Sequence, residues 1–176
     1  MKVKRFEHRS TLPVDLHELW RLHTDPAILV ALTPSPLQAR ILDPGQGVAN
    51  DSLVVLEVSL GPIRVTWHAL HAAVVPGETF TDVALKSPFP FWQHQHQLNA
   101  VGPGVSELRD VVWFVPPGPL PRALTTPVVR LLLGWMFTWR HRRTAELLGV
   151  RGTTASSRPP LAHQRGCRHP AWETGS

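Results

Sequence analysis

A chain of 176 residues fits one domain, and 43% hydrophobic against 18% charged residues excludes a disordered chain. The net charge of +5 hints at nucleic acid until it is divided: Arg151, Arg158, Arg165 and Arg168 against Glu173 put three of those charges beyond residue 150. The remaining +2 makes no basic face, so no nucleic-acid partner is expected.

From the N-terminus, Lys2–Thr11 alternates Val3, Arg5 and Glu7 with Lys4, Phe6 and His8, which predicts a strand ended by Pro13. It has the charge of a strand and lacks the apolar core of a secretion signal. Leu16, Leu19, Trp20 and His23 recur at helical spacing, with Asp15 in the first turn. Asp25-Pro26 opens a second short helix, a capping residue followed by proline at the first helical position. The period then changes to two. Strands are expected near Gln38–Leu42, Ser52–Leu60, Ile63–Val74, Glu78–Lys86, Phe91–Val101 and Val105–Val115, separated by short Pro/Gly/Asp turns that make neighbours antiparallel. With the first, they form a seven-stranded sheet.

Pro116-Pro117-Gly118-Pro119 closes the strand region, and Leu124–Leu148 is the one long helical segment. Its Val128, Leu131, Leu132, Trp135 and Trp139 share a face expected to pack on the sheet. Val129, Leu133, Met136 and Phe137 make the other side apolar too. The run Val128–Trp139 is too short to span a bilayer and contains Arg130, so no stable membrane insertion is expected. Residues 1–150 are therefore read as the folded domain and 151–176, rich in Ser, Pro, Gly and Arg, as a disordered basic tail. The single cysteine, Cys167, makes no internal disulfide, which fits a reducing compartment and a cytoplasmic location.

Strand, two short helices, six antiparallel strands and one long helix is an α+β order that resembles the helix-grip arrangement of the START/Bet v 1-like (SRPBCC) superfamily. The wording resembles one bacterial subgroup as well. Lys86-Ser-Pro-Phe-Pro-Phe-Trp-Gln-His-Gln-His96 is similar to its "GPF..W.H.H.F" segment, with Ser87 in place of the usual glycine. Asp110-Val-Val-Trp113 with Pro116 resembles "D.V.Y..P", and Phe137-Thr-Trp-Arg140 resembles "F..R". The resemblance covers residues 2–148. It implies a sheet wrapped around the C-terminal helix, with a cavity between them for an apolar molecule such as a lipid, sterol or polyketide. Most members carry, sense or sequester; a minority, the aromatase/cyclases among them, catalyse.

The best-defined local signal is Phe91–Ala100. Trp92, His94, His96 and Leu98 fall on one face and Gln93, Gln95, Gln97 and Asn99 on the other, so the histidines should point inward. A symmetric Gly102-Pro103-Gly104 loop puts His96 opposite Asp110, His94 opposite Val112 and Trp92 opposite Phe114. On the other flank, a loop over Ser87–Pro90 puts Asp82 opposite His96 and Ala84 opposite His94. Trp67 and Trp135 complete the candidate ligand wall of Trp92, His94, His96, Leu98, Asp82, Asp110 and Phe114. His68 and His71, three apart in one strand, face opposite ways and make no pair. Arg140-His-Arg-Arg143 reads as a solvated helix end.

Three roles remain open for His94, His96 and Asp110: a self-satisfied buried network, recognition of a polar group on an apolar ligand, or catalysis with a histidine as acid or base. The sequence sets no Ser or Cys nucleophile beside them. His-x-His supplies two metal ligands without a placed third, so neither a metal nor any other cofactor is expected. The leading expectation is a noncatalytic binding or carrier domain for a small hydrophobic ligand. The alternatives are a cyclase, dehydratase or hydrolase acting on a polyketide-like substrate, and an interaction module, with a homodimer admitted by the two-sided apolar helix.

Overall fold

Asp25 divides the first two helices: its carboxylate accepts the Ala27 N–H at 2.9 Å, and proline follows at the first helical position. This computed structural model describes residues 2–118, 121–150 and 154–155. In chain order the elements are β1 (Lys4–Leu12), α1 (Leu16–Thr24), α2 (Pro26–Ala31), β2 (Leu37–Asp43), β3 (Leu53–Leu60), β4 (Ile63–Val75), β5 (Thr79–Lys86), β6 (Phe91–Gly102), β7 (Val105–Val115), α3 (Arg122–Leu147) and β8 (Thr154–Ala155). All seven expected strands are present. The sheet runs β2-β3-β4-β5-β6-β7-β1, and β8 adds two residues beside Ser10 and Thr11 on the outer side of β1. The rest of the tail read as disordered lies outside the described residues.

The meander from β2 to β7 is antiparallel throughout, and β1 closes it by pairing with β7, Phe6 opposite Val112 and His8 opposite Asp110. Between β2 and β3 the chain doubles back tightly at Gly45. Its φ of 55° and the 2.5 Å that would separate an added Cβ from the Leu53 carbonyl oxygen leave room for glycine alone.

The long helix packs with the opposite face from the one expected. Val129, Leu133 and Phe137 are buried, while Leu131 is 76% exposed and Val128, Leu132 and Trp135 are also exposed. The physical reason lies at the C-terminal end, where His141, Thr144 and Ala145 are buried as well. The row Val129–Leu133–Phe137–His141–Ala145 advances four residues at a time and stays on the sheet for the whole helix. No described helix is long and apolar enough to cross a membrane.

Two apolar clusters result. Leu12, Leu19, Leu98, Leu108 and Ala145 form one, closed by α1; Trp92, Val112, Phe114, Leu133 and Phe137 form the other. Between them every packed element changes character at one level. β1 reads Phe6, His8, Ser10, Leu12; β6 reads Trp92, His94, His96, Leu98; β7 reads Phe114, Val112, Asp110, Leu108; α3 reads Phe137, His141, Ala145. A polar belt therefore crosses the interior between two apolar layers.

Candidate functional site

The belt centres on Asp110, 4% exposed. His94 Nε2 lies 2.7 Å from Asp110 Oδ1, and His141 Nε2 lies 2.6 Å from Oδ2. His96 Nδ1 is 2.9 Å from Oδ1 but out of line for a hydrogen bond. A second carboxylate, Asp82 on β5, faces the same histidines: His96 Nε2 is 3.2 Å and His94 Nδ1 3.9 Å from Asp82 Oδ2. On its other oxygen, His71 Nε2 of β4 approaches to 2.9 Å, again without a directed hydrogen bond, while His71 Nδ1 meets the Gly47 carbonyl at 2.8 Å.

Charge is distributed accordingly. Burial by itself lowers His96, but Asp110 and Asp82 outweigh it and hold its pKa up at about 9. Burial would raise both carboxylates. The histidines around them reverse that, so Asp82 and Asp110 both sit below the ordinary Asp range. Burial and the neighbouring His96 charge push His94 down to about 4. His71 is raised, the Asp82 partnership exceeding the opposing effect of burial.

His8 and His23 flank the belt without a carboxylate of their own. Burial, then His141, lowers His8 to about 4; burial, then His96, lowers His23 to about 4. Both are neutral in the folded chain, whereas an unfolded histidine protonates near pH 6.5. Their contribution to stability is complete above pH 6.5 and is lost as pH falls toward 4. Denaturant unfolding across that window should show stability falling with acid, and His23→Phe should flatten the slope. An unchanged slope would count against His23 as its source.

Ser10 Oγ sits 2.6 Å from His141 Nδ1, so Ser10, His141 and Asp110 form a continuous chain. It has the membership of a hydrolytic triad. All three are at most 4% exposed and none of them is among the residues lining the main cavity; their contacts tie β1 and β7 to α3.

The cavity lies on the other side of the belt. It encloses about 660 Å³ between α2, the inner faces of β2 to β6, and α3. Val54, Leu56, Trp67, Phe89, Trp92 and Leu133 supply apolar wall, and Asp82, His94, His96, His71, His23 and Arg140 converge at one end. Arg140 makes no ion pair among the described residues; its guanidinium lies over the Phe137 ring, 5.6 Å from the centroid. Burial lowers its pKa, against the pull of Asp110 and Asp82. A second, more open groove lies between the start of α1, with Asp15, His17 and Glu18, and the β6–β7 hairpin.

No family model and no curated protein matches the chain. Solved structures do. The aromatase/cyclase Zhui from Streptomyces sp. R1128 superposes with a TM-score of 0.69 at 14% identity, over 84% of this chain and 94% of that one. A START superfamily protein from Mycobacterium smegmatis gives 0.63 at 11%, over 82% and 97%. The Bet v 1 allergen Ara h 8.0201 gives 0.57 at 19%, over 82% and 99%. This chain has the helix-grip fold.

Within the helix-grip cavity, Trp67, Asp82, Trp92, His94, His96 and Trp135 are lining residues. Three others named from the sequence are not. Leu98 is sealed under α1 against Leu12 and Leu108, Phe114 lies fully buried beneath Phe137, and Asp110 stands behind the histidines. The β6–β7 register agrees with the expected pairs, His96 with Asp110, His94 with Val112 and Trp92 with Phe114. The β5–β6 register is shifted by two: Asp82 pairs with His94, and Phe80 with His96. Pairing ends at Val83–Gln93, so the connection opens well before Ser87 instead of closing symmetrically over it. A shift of two keeps the inner face, and Asp82 still reaches His96. His71 and His141 join the cluster unforeseen, and the supposedly solvated His141 is 2% exposed. His71 had a legible signal, since it shares β4's inward parity with Ala69 and Trp67.

Proposed function

We propose that this protein binds a small, largely apolar molecule in its cavity and carries or sequesters it. The observation that bears most weight is the division of the cavity: an apolar body of about 660 Å³, in the usual range for small-molecule sites, with polar groups gathered at one end. Such a wall rewards ring or chain carbons. Arg140, which makes no ion pair among the described residues, and the histidines beside it suit one oxygen-bearing group on such a ligand.

A library of sterols, fatty acids and aromatic polyketides, screened by thermal shift, tests this. A ligand at 100 times its Kd should add about 2.7 kcal/mol, roughly 5–10 °C in a domain of this size. The shift should vanish in Ala69→Phe, which fills the cavity from β4 where Ala69 is a buried lining residue. Equal shifts in both proteins would place the ligand elsewhere and sink the proposal.

The second reading, a cyclase or dehydratase acting on a polyketide-like substrate, is favoured by His94 and His96 lining the cavity and by the aromatase/cyclase among the structures of the same fold. His94, neutral at pH 7, would serve as base and the charged His96 as acid. Turnover of a bound polyketide that is unchanged by His96→Gln would end that role for His96.

A further inference from the structure

We propose that Asp82, His94 and His96 form a binding site for one divalent transition-metal ion, zinc in the first instance, at the polar end of the cavity. One donor atom from each of the three lies within 4.8 Å of the others. Asp82 Oδ2 is 3.2 Å from His96 Nε2 and 3.9 Å from His94 Nδ1. Bonds of about 2.0–2.1 Å in a tetrahedral site would set donors about 3.3 Å apart, so one of the three pairs is already at that spacing and the two that involve His94, both within 4.8 Å, close by a rotamer adjustment.

The supporting contacts matter more than the distances. A metal-bound histidine normally presents its far ring nitrogen to a carboxylate or carbonyl, which fixes the tautomer and raises the basicity of the near one. Here one carboxylate stands behind both rings, bonded to one and within reach of the other. His94 gives its Nε2–H to Asp110 Oδ1 at 2.7 Å, and His96 places Nδ1 2.9 Å from the same oxygen. The nitrogens left over, His94 Nδ1 and His96 Nε2, are the two that face Asp82. The third donor is held in turn: His71, anchored on the Gly47 carbonyl, stands 2.9 Å from Asp82 Oδ1 and leaves Oδ2 to the histidines.

Two buried atoms in this arrangement, Asp82 Oδ1 and His96 Nδ1, have no directed hydrogen-bond partner. A cluster built only to satisfy itself would not be expected to strand atoms on its two central residues. A divalent ion between Oδ2 and the two ring nitrogens would take up their lone pairs and let the rings and the carboxylate turn until both outer contacts straighten. All three donors line the cavity, so the fourth coordination position opens toward whatever occupies it. Two histidines, one carboxylate and an open position is a donor set that zinc and other first-row divalent ions accept, with a water or a ligand oxygen completing it. The competitor for the same lone pairs is the proton, so metal binding should weaken as the medium is acidified.

The full chain, stripped with chelator and carrying Cys167→Ser to remove the tail thiolate, is titrated with Co²⁺ and then Zn²⁺. The expected result is one Co²⁺ per chain with the intense visible absorption of a tetrahedral site, abolished by one equivalent of Zn²⁺. Asp82→Asn and His96→Gln should each weaken binding by more than about 100-fold, and Asp110→Asn, which supports the ligands without touching the metal, by about 10–100-fold. The exposed His17→Gln should leave it unchanged. Absence of tetrahedral absorption in the otherwise native chain overturns the proposal without recourse to any variant. So does binding that survives Asp82→Asn in a variant shown by circular dichroism to be folded, since the ion would then sit elsewhere. Apolar-ligand binding by the metal-free chain is scored separately, so failure of the metal site leaves the carrier proposal standing, and the reverse holds too.

Discussion

Asp110→Ala should destabilise the chain by about 3–5 kcal/mol, the cost of removing one partner from a buried charged network. The carboxylate is 4% exposed, accepts from His94 and His141, and holds a third imidazole, His96, at 2.9 Å. Its loss would leave the protonated His96 with Asp82 alone and free His141, whose other hydrogen-bond partner among the described residues is Ser10. Because His141 belongs to α3, His94 and His96 to β6, and Ser10 to β1, three elements lose their common anchor in one substitution. Urea unfolding reads the effect as a lower midpoint with an unchanged m-value. Asp110→Asn keeps the shape and one acceptor, and should cost less than alanine while still lowering His96 toward an ordinary histidine. The pH dependence of stability separates the two contributions. His96 is held up at about 9, so its stabilising share is complete below pH 6.5 and fades as pH rises through 9; in Asp110→Asn that alkaline decline should shrink. A loss under about 1 kcal/mol for alanine would show that the belt carries little of the fold.

How much of this was legible in the sequence differs from residue to residue. The parity of β6 was readable because four glutamine and asparagine residues alternate with Trp92, His94, His96 and Leu98, and a period of two permits only one face for each set. The outer face is occupied as that requires, with Arg109 bridging Glu7 and Gln97. The β6–β7 register followed because the turn is tight, although it is not the symmetric Gly102-Pro103-Gly104 loop expected: Gly102 pairs with Val105 after an irregularity at Val101. The β5–β6 register did not, because a connection that opens at Ala84 carries no such constraint. The cluster's reach beyond one hairpin was hidden for another reason: His71 and His141 sit 23 and 47 residues from His94 in sequence, and only the closed sheet and the docked helix bring them to Asp82 and Asp110. Of the two, His141 was disguised by Arg140, Arg142 and Arg143 around it. Read as a cluster, those residues suggest a wet helix end. Read along the helix, the row from Val129 reaches His141 and Ala145, while the row from Val128 through Trp135 and Trp139 runs on toward Arg142 and Arg143, which cannot be packed on a core.

That orientation of α3 sets up the other large effect. Phe137→Ala should cost about 3–5 kcal/mol, the usual range for emptying a buried aromatic site, while Leu131→Ala should cost less than about 0.5 kcal/mol. Phe137 is fully buried, 5.6 Å from the Phe6 ring and 5.0 Å from the His94 ring, and it forms the floor on which the Arg140 guanidinium lies. Leu131 is 76% exposed. If the helix instead packed through Val128, Leu131 and Trp135, as its apolar spacing first suggests, the two costs would be reversed, so the pair of variants decides the face in one experiment. Phe137→Ala also bears on function. The void it leaves adjoins the polar belt and the wall formed by Leu133 and Val129, next to the existing cavity. A bulkier apolar ligand than the native chain accepts should then bind, and its binding should restore part of the lost stability in proportion to RT ln(1 + [L]/Kd). Destabilisation without any such rescue by the sterols and polyketides that shift the native chain would mean that the ligand never reaches the helix floor, and would move the binding site toward the part of the wall formed by α2 and β2.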